Sequence, residues 1–333
     1  MPFSNLGQSL TPIDTLNLIE DELRAVEREI NLESMASVGA VTAIGQYLNG
    51  NAGKRLRPIL LLLSAKLIGR ADASAIHLGA VVEMIHTATL VHDDIIDAAE
   101  TRRGRPSTNI IFGNHISVLA GDWLYMQAFQ IALRERNFHV LDILIALTQM
   151  MVEGELLQLE RIGRIDVSET DYMELVDRKT AGLFSACARL GAVVGGANEA
   201  DEARLGDFAW NLGMAFQLTD DVLDFTAREN VLGKPIGGDL REGKVTLPVI
   251  YALQHCSSEE RGIVEKVLEQ RSYESVSFGA VLGLLERQRA VARSRERAHT
   301  FADRARAILG DFPDSAYQRA LYAITDLVTD REY

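Results

Sequence analysis

Two copies of one acidic pattern stand far apart in this chain: Asp93, Asp94 and Asp97 in HDDIID, and Asp220, Asp221 and Asp224 in TDDVLDF. Each lies in an apolar, glycine-free run that reads as helix. Asp93 and Asp97 therefore stack one turn apart on one face, with Asp94 beside them. Like charges so close repel, and among neighbours such as Ile95, Ile96, Val222 and Leu223 they are costly unless a cation compensates them. A hard divalent metal is the simplest compensation. Magnesium takes oxygen ligands, keeps several waters, and is commonly held by one or two carboxylates while it bridges phosphate oxygens. One isolated copy of the pattern reads as a solvated helix face; two copies inside apolar segments, each followed by basic residues, read as a phosphate clamp.

The basic residues come in four groups. Gly53-Lys54-Arg55-Leu56-Arg57-Pro58 precedes the first cluster and Arg102-Arg103-Gly104-Arg105 follows it. Lys179-Thr180 lies between the clusters, and Lys234 and Lys244 follow the second. Arginine forks match phosphate oxygens bidentately and lysine supplies a point charge. With 34 Lys+Arg against 47 Asp+Glu, such grouping runs against the overall charge. Basic turns and six aspartates together describe a site for more than one phosphorylated ligand. No Ser/His/Asp or Cys/His constellation for nucleophilic catalysis accompanies them.

The elements that must position these residues are helices. Amphipathic periodicity recurs from about Ile13 to the end, with helices expected over 13–30, 35–48, 57–69, 72–97, 115–134, 138–161, 169–195, 200–228, 245–255, 258–270, 275–308 and 314–330. Strand signals are nearly absent. Only 7 prolines occur, and no Ser/Pro/Gly-rich linker divides the chain. The expected fold is all-α, one antiparallel helix bundle over residues 1–333 with its pocket between central helices. The glycine-rich stretch Gly233–Gly243 reads as a loop, and since it leads from Lys234 to Lys244 it is a candidate lid over a diphosphate.

A net charge of −13 argues against a nucleic-acid surface. The Arg-rich stretch from Arg287 to Arg306 is interleaved with Glu296 and Asp303 and reads as a solvated helix face. Two cysteines, Cys187 and Cys256, form no CxxC pair and fit a reducing compartment. The apolar run Pro58 to Ile68 is too short to span a bilayer and contains Lys66, and no secretory leader pattern opens the chain. A cytoplasmic protein is the expectation. Glu83-Met84-Ile85-His86 matches one half of the paired Glu-x-x-His elements of di-iron bundles, but a di-iron site would leave the aspartate clusters and their lysines unexplained.

The order of these motifs resembles the all-trans polyprenyl diphosphate synthases. The matching stretches are GKRLRP (53–58), EMIHTATLVHDDIIDAAETRRGRPS (83–107), GDWLYMQAF (121–129), EGELLQLE (153–160), RKTAGLF (178–184), FQLTDDVLDF (216–225) and GKPIGGDLREGKVTLP (233–248). The resemblance implies an isoprenoid-synthase bundle that works as a homodimer. It implies two to three Mg2+ ions per active site on Asp93, Asp94, Asp97, Asp220, Asp221 and Asp224. Arg102, Lys179, Thr180, Gln217, Lys234 and Lys244 match positions on the diphosphate of an allylic substrate, farnesyl or geranylgeranyl diphosphate. Lys54, Arg57, His86 and Arg103 match the pocket for isopentenyl diphosphate. Asp93, Asp94, Asp97, Lys179, Asp220 and Lys234 are the expected catalytic set. Metal ions and lysines stabilise the leaving diphosphate as charge develops on it, and the allylic cation is attacked by the second substrate in a site closed to water.

Product length depends on what lies beneath the first cluster. Ala88 sits five residues before Asp93, about 7.5 Å along a helix. In shorter-chain relatives an aromatic residue near this point stops the tail, whereas Ala88 and Thr89 are small. An open tunnel follows, with Met126, Phe129 and Leu133 as candidates for its floor and a C30–C50 product of the kind used for quinone side chains. Contact with a membrane is expected to be peripheral at most, for product release. A C20 synthase, a subunit of a two-chain synthase and a terpene cyclase are the alternatives; the cyclase leaves GKRLRP and His86 without a purpose.

Overall fold

A computed structural model of the chain describes residues 10–50, 53–226 and 236–329. Most of them are helical: α1 (Pro12–Asn17), α2 (Glu20–Glu33), α3 (Gly39–Asn49), α4 (Leu56–Ile68), α5 (Ala73–Ile96), α6 (Thr108–Phe112), α7 (Asn114–Arg134), α8 (Phe138–Arg161), α9 (Glu169–Val176), α10 (Gly182–Gly195), α11 (Glu199–Thr226), α12 (Gly238–Arg241), α13 (Leu247–Leu253), α14 (Ser258–Gln270), α15 (Phe278–Arg287), α16 (Ala290–Leu309) and α17 (Ala316–Thr329). Among the described residues, the only strands are the two-residue β1 (Thr101–Arg102) and β2 (Arg105–Pro106), paired antiparallel.

Helices α4, α5, α10 and α11 form the centre, α4 packing on both α5 and α10, and α10 on α11. The sequence of α4 explains its place: Leu60, Leu61, Leu62 and Leu63 are all fully buried, and a helix apolar all round has no solvent side to offer. Its approach to α10 needs glycine, since a Cβ on Gly191 would collide with the Leu61 carbonyl. Helix α5 packs between α7, α4 and α2, capped at its start by Asp72, whose carboxylate accepts from the Ser74 amide at 3.0 Å. By length and composition α5 could cross a membrane, but 61% of its apolar window is buried inside the bundle. It is a core helix that carries Glu83 and the first acidic cluster.

Several expected boundaries shift. The stretch expected as one helix over 13–30 breaks at Ile19, which leaves helical geometry (φ −136°, ψ 19°). The stretch 275–308 splits because Arg289 takes a left-handed backbone (φ 50°) between α15 and α16, with no glycine or proline to mark it. The stretch 169–195 holds, but with a π-helical turn, Asp177–Ala181, between α9 and α10. The Arg-rich stretch is not one solvated face. Helix α16 packs along α11, Arg293 stacks over the Tyr251 ring at 4.2 Å, and Arg297 reaches Glu169 at 3.3 Å.

Candidate active site

Helix α5 presents polar groups along one side toward three adjoining cavities. The first, of about 320 Å3, is lined mostly by polar and charged side chains. Asp93 and Asp97 face it from α5, Gln217, Asp220 and Asp221 from α11, Lys179 and Thr180 from the π-helical turn, and Asp239 and Lys244 from the segment after α11. The second, of about 530 Å3, is mainly apolar, with Thr89, Tyr125, Met151, Val152 and Leu156 in its wall. The third, of about 50 Å3, holds Arg55, Glu83, His86, Arg102 and Arg103. The first two share Asp93, Lys179, Thr180 and Gln217; His86 faces both the second and the third.

Local structure sets each group. The π-helical turn inserts one extra residue per turn and is a common device at functional sites. Here it turns Lys179 and Thr180 toward α5, α8 and α11. Lys179 Nζ donates to Glu155 Oε2 at 2.5 Å and Gln158 Oε1 at 3.2 Å, and stands 3.7 Å from Asp93 Oδ2. Thr180 Oγ1 donates to Gln217 Oε1 at 2.9 Å, and Gln217 Nε2 to Asp221 Oδ1 at 2.7 Å. The Tyr172 hydroxyl donates to the other Asp221 oxygen at 2.6 Å. Lys244 Nζ bridges Asp97 at 2.9 Å and Glu242 at 2.8 Å. Arg102 Nε donates to Asp94 Oδ1 at 2.6 Å from a hairpin whose two turn residues, Arg103 and Gly104, both have positive φ (52° and 74°), as primed hairpin turns require.

The site carries more negative charge than it neutralises. Burial, helped by the Glu155 and Asp97 carboxylates and opposed by Lys179, lifts Asp93 to about 6. Burial and Asp239 push Asp221 well above the usual carboxylate range, against the hydrogen bonds from Tyr172 and Gln217. Burial alone would lower the Lys244 ammonium, but Asp97 and Glu242 outweigh it and hold it more basic than usual. His86 is driven well below 6.5 by burial and by Arg57, Arg103, Arg102 and Arg55, so it is a neutral imidazole.

Carboxylates that desolvation and mutual repulsion disfavour fit a divalent cation, which removes both penalties. Among the described residues, no three His, Cys, Asp or Glu side chains converge closely enough to make a metal site by themselves. The donors stand on opposite walls, so an ion between them would complete its shell with water or phosphate oxygens, as magnesium does.

The structure refines the set of residues read from the sequence. Asp93, Asp97, Asp220 and Asp221 face the polar cavity. Asp94 is turned to Arg102 and the small third cavity, and Asp224 is wholly buried, with Oδ2 accepting from the Asp239 amide at 3.2 Å. Lys54 is exposed and lines none of the three cavities, whereas Arg57 reaches the apolar one. Lys234 and part of the candidate lid lie outside the described residues. Thr89 lines the apolar cavity; Ala88 is fully buried in the core and does not. Met126, 64% exposed, and Leu133 face outward from α7, and Phe129 is half-buried off the cavity. The α7 wall is formed instead by Val118, Asp122 and Tyr125. Tyr172, Glu155, Gln158 and Asp239 were not singled out in the sequence. Glu155 and Gln158 sit one turn apart in EGELLQLE, a signal that was present; Tyr172 carries no motif of its own.

An all-helical bundle that sets a doubly acidic cavity against an apolar one defines a protein of the isoprenoid-synthase type. Comparison with known proteins carries this further. The polyprenyl synthetase family model matches residues 39–283, and the chain belongs to that family; it is a trans-prenyltransferase. It is 35% identical over 327 residues to an octaprenyl diphosphate synthase of Haemophilus influenzae, covering 98% of this chain and 99% of the relative. A geranylgeranyl diphosphate synthase of Sulfolobus acidocaldarius is 43% identical over 233 residues, 68% of this chain and 71% of the relative. The solved polyprenyl synthase of Caulobacter crescentus CB15, complexed with calcium and isoprenyl diphosphate, superposes with a TM-score of 0.92 at 34% identity, covering 98% of this chain and all of that one. The family is generally Mg2+-dependent.

Proposed function

We propose that this chain elongates an allylic diphosphate, farnesyl or geranylgeranyl diphosphate, by successive trans condensations with isopentenyl diphosphate, ending at a polyprenyl diphosphate of C30–C50. One observation carries this reading. The polar and apolar cavities meet at Asp93, Lys179, Thr180 and Gln217, so one ligand can lay its diphosphate among aspartates and its hydrocarbon among Thr89, Tyr125, Met151 and Leu156.

In this account Asp93, Asp97, Asp220 and Asp221 would hold two to three magnesium ions, which would supply positive charge against the leaving diphosphate. Lys179 and Lys244 add fixed positive charge at the same oxygens, and Thr180 and Gln217 orient them. Arg102, which lines the polar cavity, reaches the same diphosphate, while the Arg57, His86 and Arg103 side presents isopentenyl diphosphate to the allylic carbon. Its double bond attacks as the allylic carbon–oxygen bond breaks, a proton passes to the released diphosphate, and the product, five carbons longer, is again an allylic diphosphate. The apolar wall excludes water from the cation.

The near full-length likeness to an octaprenyl diphosphate synthase and the size of the apolar cavity support a long product. Val118, Leu119, Val152, Leu156 and Leu159, between 40% and 66% exposed, form an apolar surface of α7 and α8 at the cavity's outer side. Solvent disfavours a patch of that kind, which supports a homodimer with this face covered. The whole chain is read as one synthase domain, cytoplasmic, with peripheral membrane contact for product release. The test is incorporation of labelled isopentenyl diphosphate by the purified chain with magnesium and farnesyl diphosphate. Chelation and Asp93→Ala should each abolish it. Absence of incorporation by the unaltered chain would sink the reading.

A further inference from the structure

Glu83 opens the Glu-x-x-His element of α5, and nothing in the condensation uses it. It is a buried carboxylate in the middle of an arginine cluster. Arg55 Nη1 donates to Glu83 Oε1 at 2.8 Å, the two side chains being 10% and 7% exposed. Glu27, the other acid beside Arg55, stands 3.8 Å away and is half exposed. Glu83 Oε2 is buried and accepts no hydrogen bond among the described residues, yet Glu83 lines the small cavity with His86, Arg102 and Arg103. Its field extends beyond Arg55: burial weakens the hold of the Arg57 and Arg103 guanidinium groups on their protons, and in both Glu83 is the first influence to restore it.

The backbone is arranged around the same cluster. Arg55 and Arg103 both take the left-handed region (φ 53° and 52°), unusual for arginine and a form of strain that gathers at functional sites. A Cβ on Gly53 would stand 2.5 Å from Arg103 Nη2, so the glycine of GKRLRP lets that guanidinium lie against the chain beside Arg55. Four arginines crowd around a neutral His86. Without a buried anion their mutual repulsion would drive the mobile ones apart.

We propose that Glu83 is a positioning residue of the isopentenyl diphosphate pocket: it pins Arg55 and balances Arg57 and Arg103, so that the cationic cluster stands assembled before the diphosphate arrives. The inference rests on the condensation reading above. An isolated buried ion pair would serve stability alone; this one sits on the wall of the cavity, with one oxygen turned to no protein donor.

Initial rates with Glu83→Gln, which keeps an acceptor for Arg55 but removes the charge, decide the matter. The KM for isopentenyl diphosphate is expected to rise about tenfold, with the KM for farnesyl diphosphate within about twofold of the unaltered chain. Should Glu83→Gln not fold, the paired replacement Glu83→Leu with Arg55→Met decides instead, since buried ion pairs exchanged for apolar pairs commonly keep stability. It is expected to show an unchanged Tm and the same selective rise in KM. A folded variant whose KM for isopentenyl diphosphate is unchanged or lower overturns the inference and leaves a structural pair. Absence of incorporation by the unaltered chain overturns the condensation reading, and this inference with it.

Discussion

Removing the Tyr172 hydroxyl gives the sharpest consequence of the site geometry. The hydroxyl donates to Asp221 Oδ2 at 2.6 Å, and the two residues are 4% and 3% exposed, so no water can take its place in the folded chain. A hydrogen bond to a charged group contributes about 1.5–3 kcal/mol. Asp221 is already pushed toward its protonated form by burial and Asp239, and the hydrogen bonds from Tyr172 and Gln217 oppose that push. In Tyr172→Phe the ring still fills its space, but Asp221 loses half of this opposition and becomes a poorer metal ligand. At 1.4 kcal/mol per tenfold change in an equilibrium constant, the concentration of magnesium giving half-maximal rate should rise roughly tenfold to a hundredfold. Initial rates against magnesium would show it, with KM for isopentenyl diphosphate as an internal control, because that pocket lies on the far side of Asp93. An unchanged magnesium dependence in a variant of normal Tm would refute the role given to Tyr172 and to Asp221 as a ligand.

Thr89 lies one turn below Asp93 on the wall of the apolar cavity, so Thr89→Phe should shorten the main product by at least one isoprene unit; chain sizing that shows no change would remove Thr89 from the tunnel. His86 is held neutral, well below 6.5, by burial and four arginines. Below about pH 6.5 the unfolded chain takes up a proton that the folded one refuses, so stability is lost as pH falls, by up to about 1.4 kcal/mol per pH unit. His86→Gln should therefore lose less stability between pH 7 and pH 5 than the unaltered chain, as read from urea midpoints; equal losses would contradict the neutral assignment.

What the sequence revealed and what it hid divide along physical lines. Helices such as α8 and α14 were legible to the residue, because their apolar spacing and capping are local. The i, i+4 placement of Asp93 and Asp97 on one face was legible for the same reason. The left-handed Arg289 between α15 and α16 was not, since no local residue type demands it and packing on either side decides it. Nor was the π-helical turn, although it aims Lys179 and Thr180. Tyr172 and Glu155 act through partners 49 and 24 residues away, and spacing along one helix says nothing of such contacts. The outward turn of Met126 and Leu133 was hidden because α7 is apolar on more than one face: Leu124, Ile131 and Ala132 are buried while Met126 and Leu133 are not.

Sizing the products tests the account most directly. The purified chain is incubated with magnesium, farnesyl diphosphate and labelled isopentenyl diphosphate, and the dephosphorylated products are separated by chromatography and weighed by mass spectrometry. Successive condensation into an apolar cavity predicts labelled chains beyond C25, ending between C30 and C50. Products that stop at C20 would contradict the long-chain assignment, and an unlabelled farnesyl pool would contradict condensation by this chain alone.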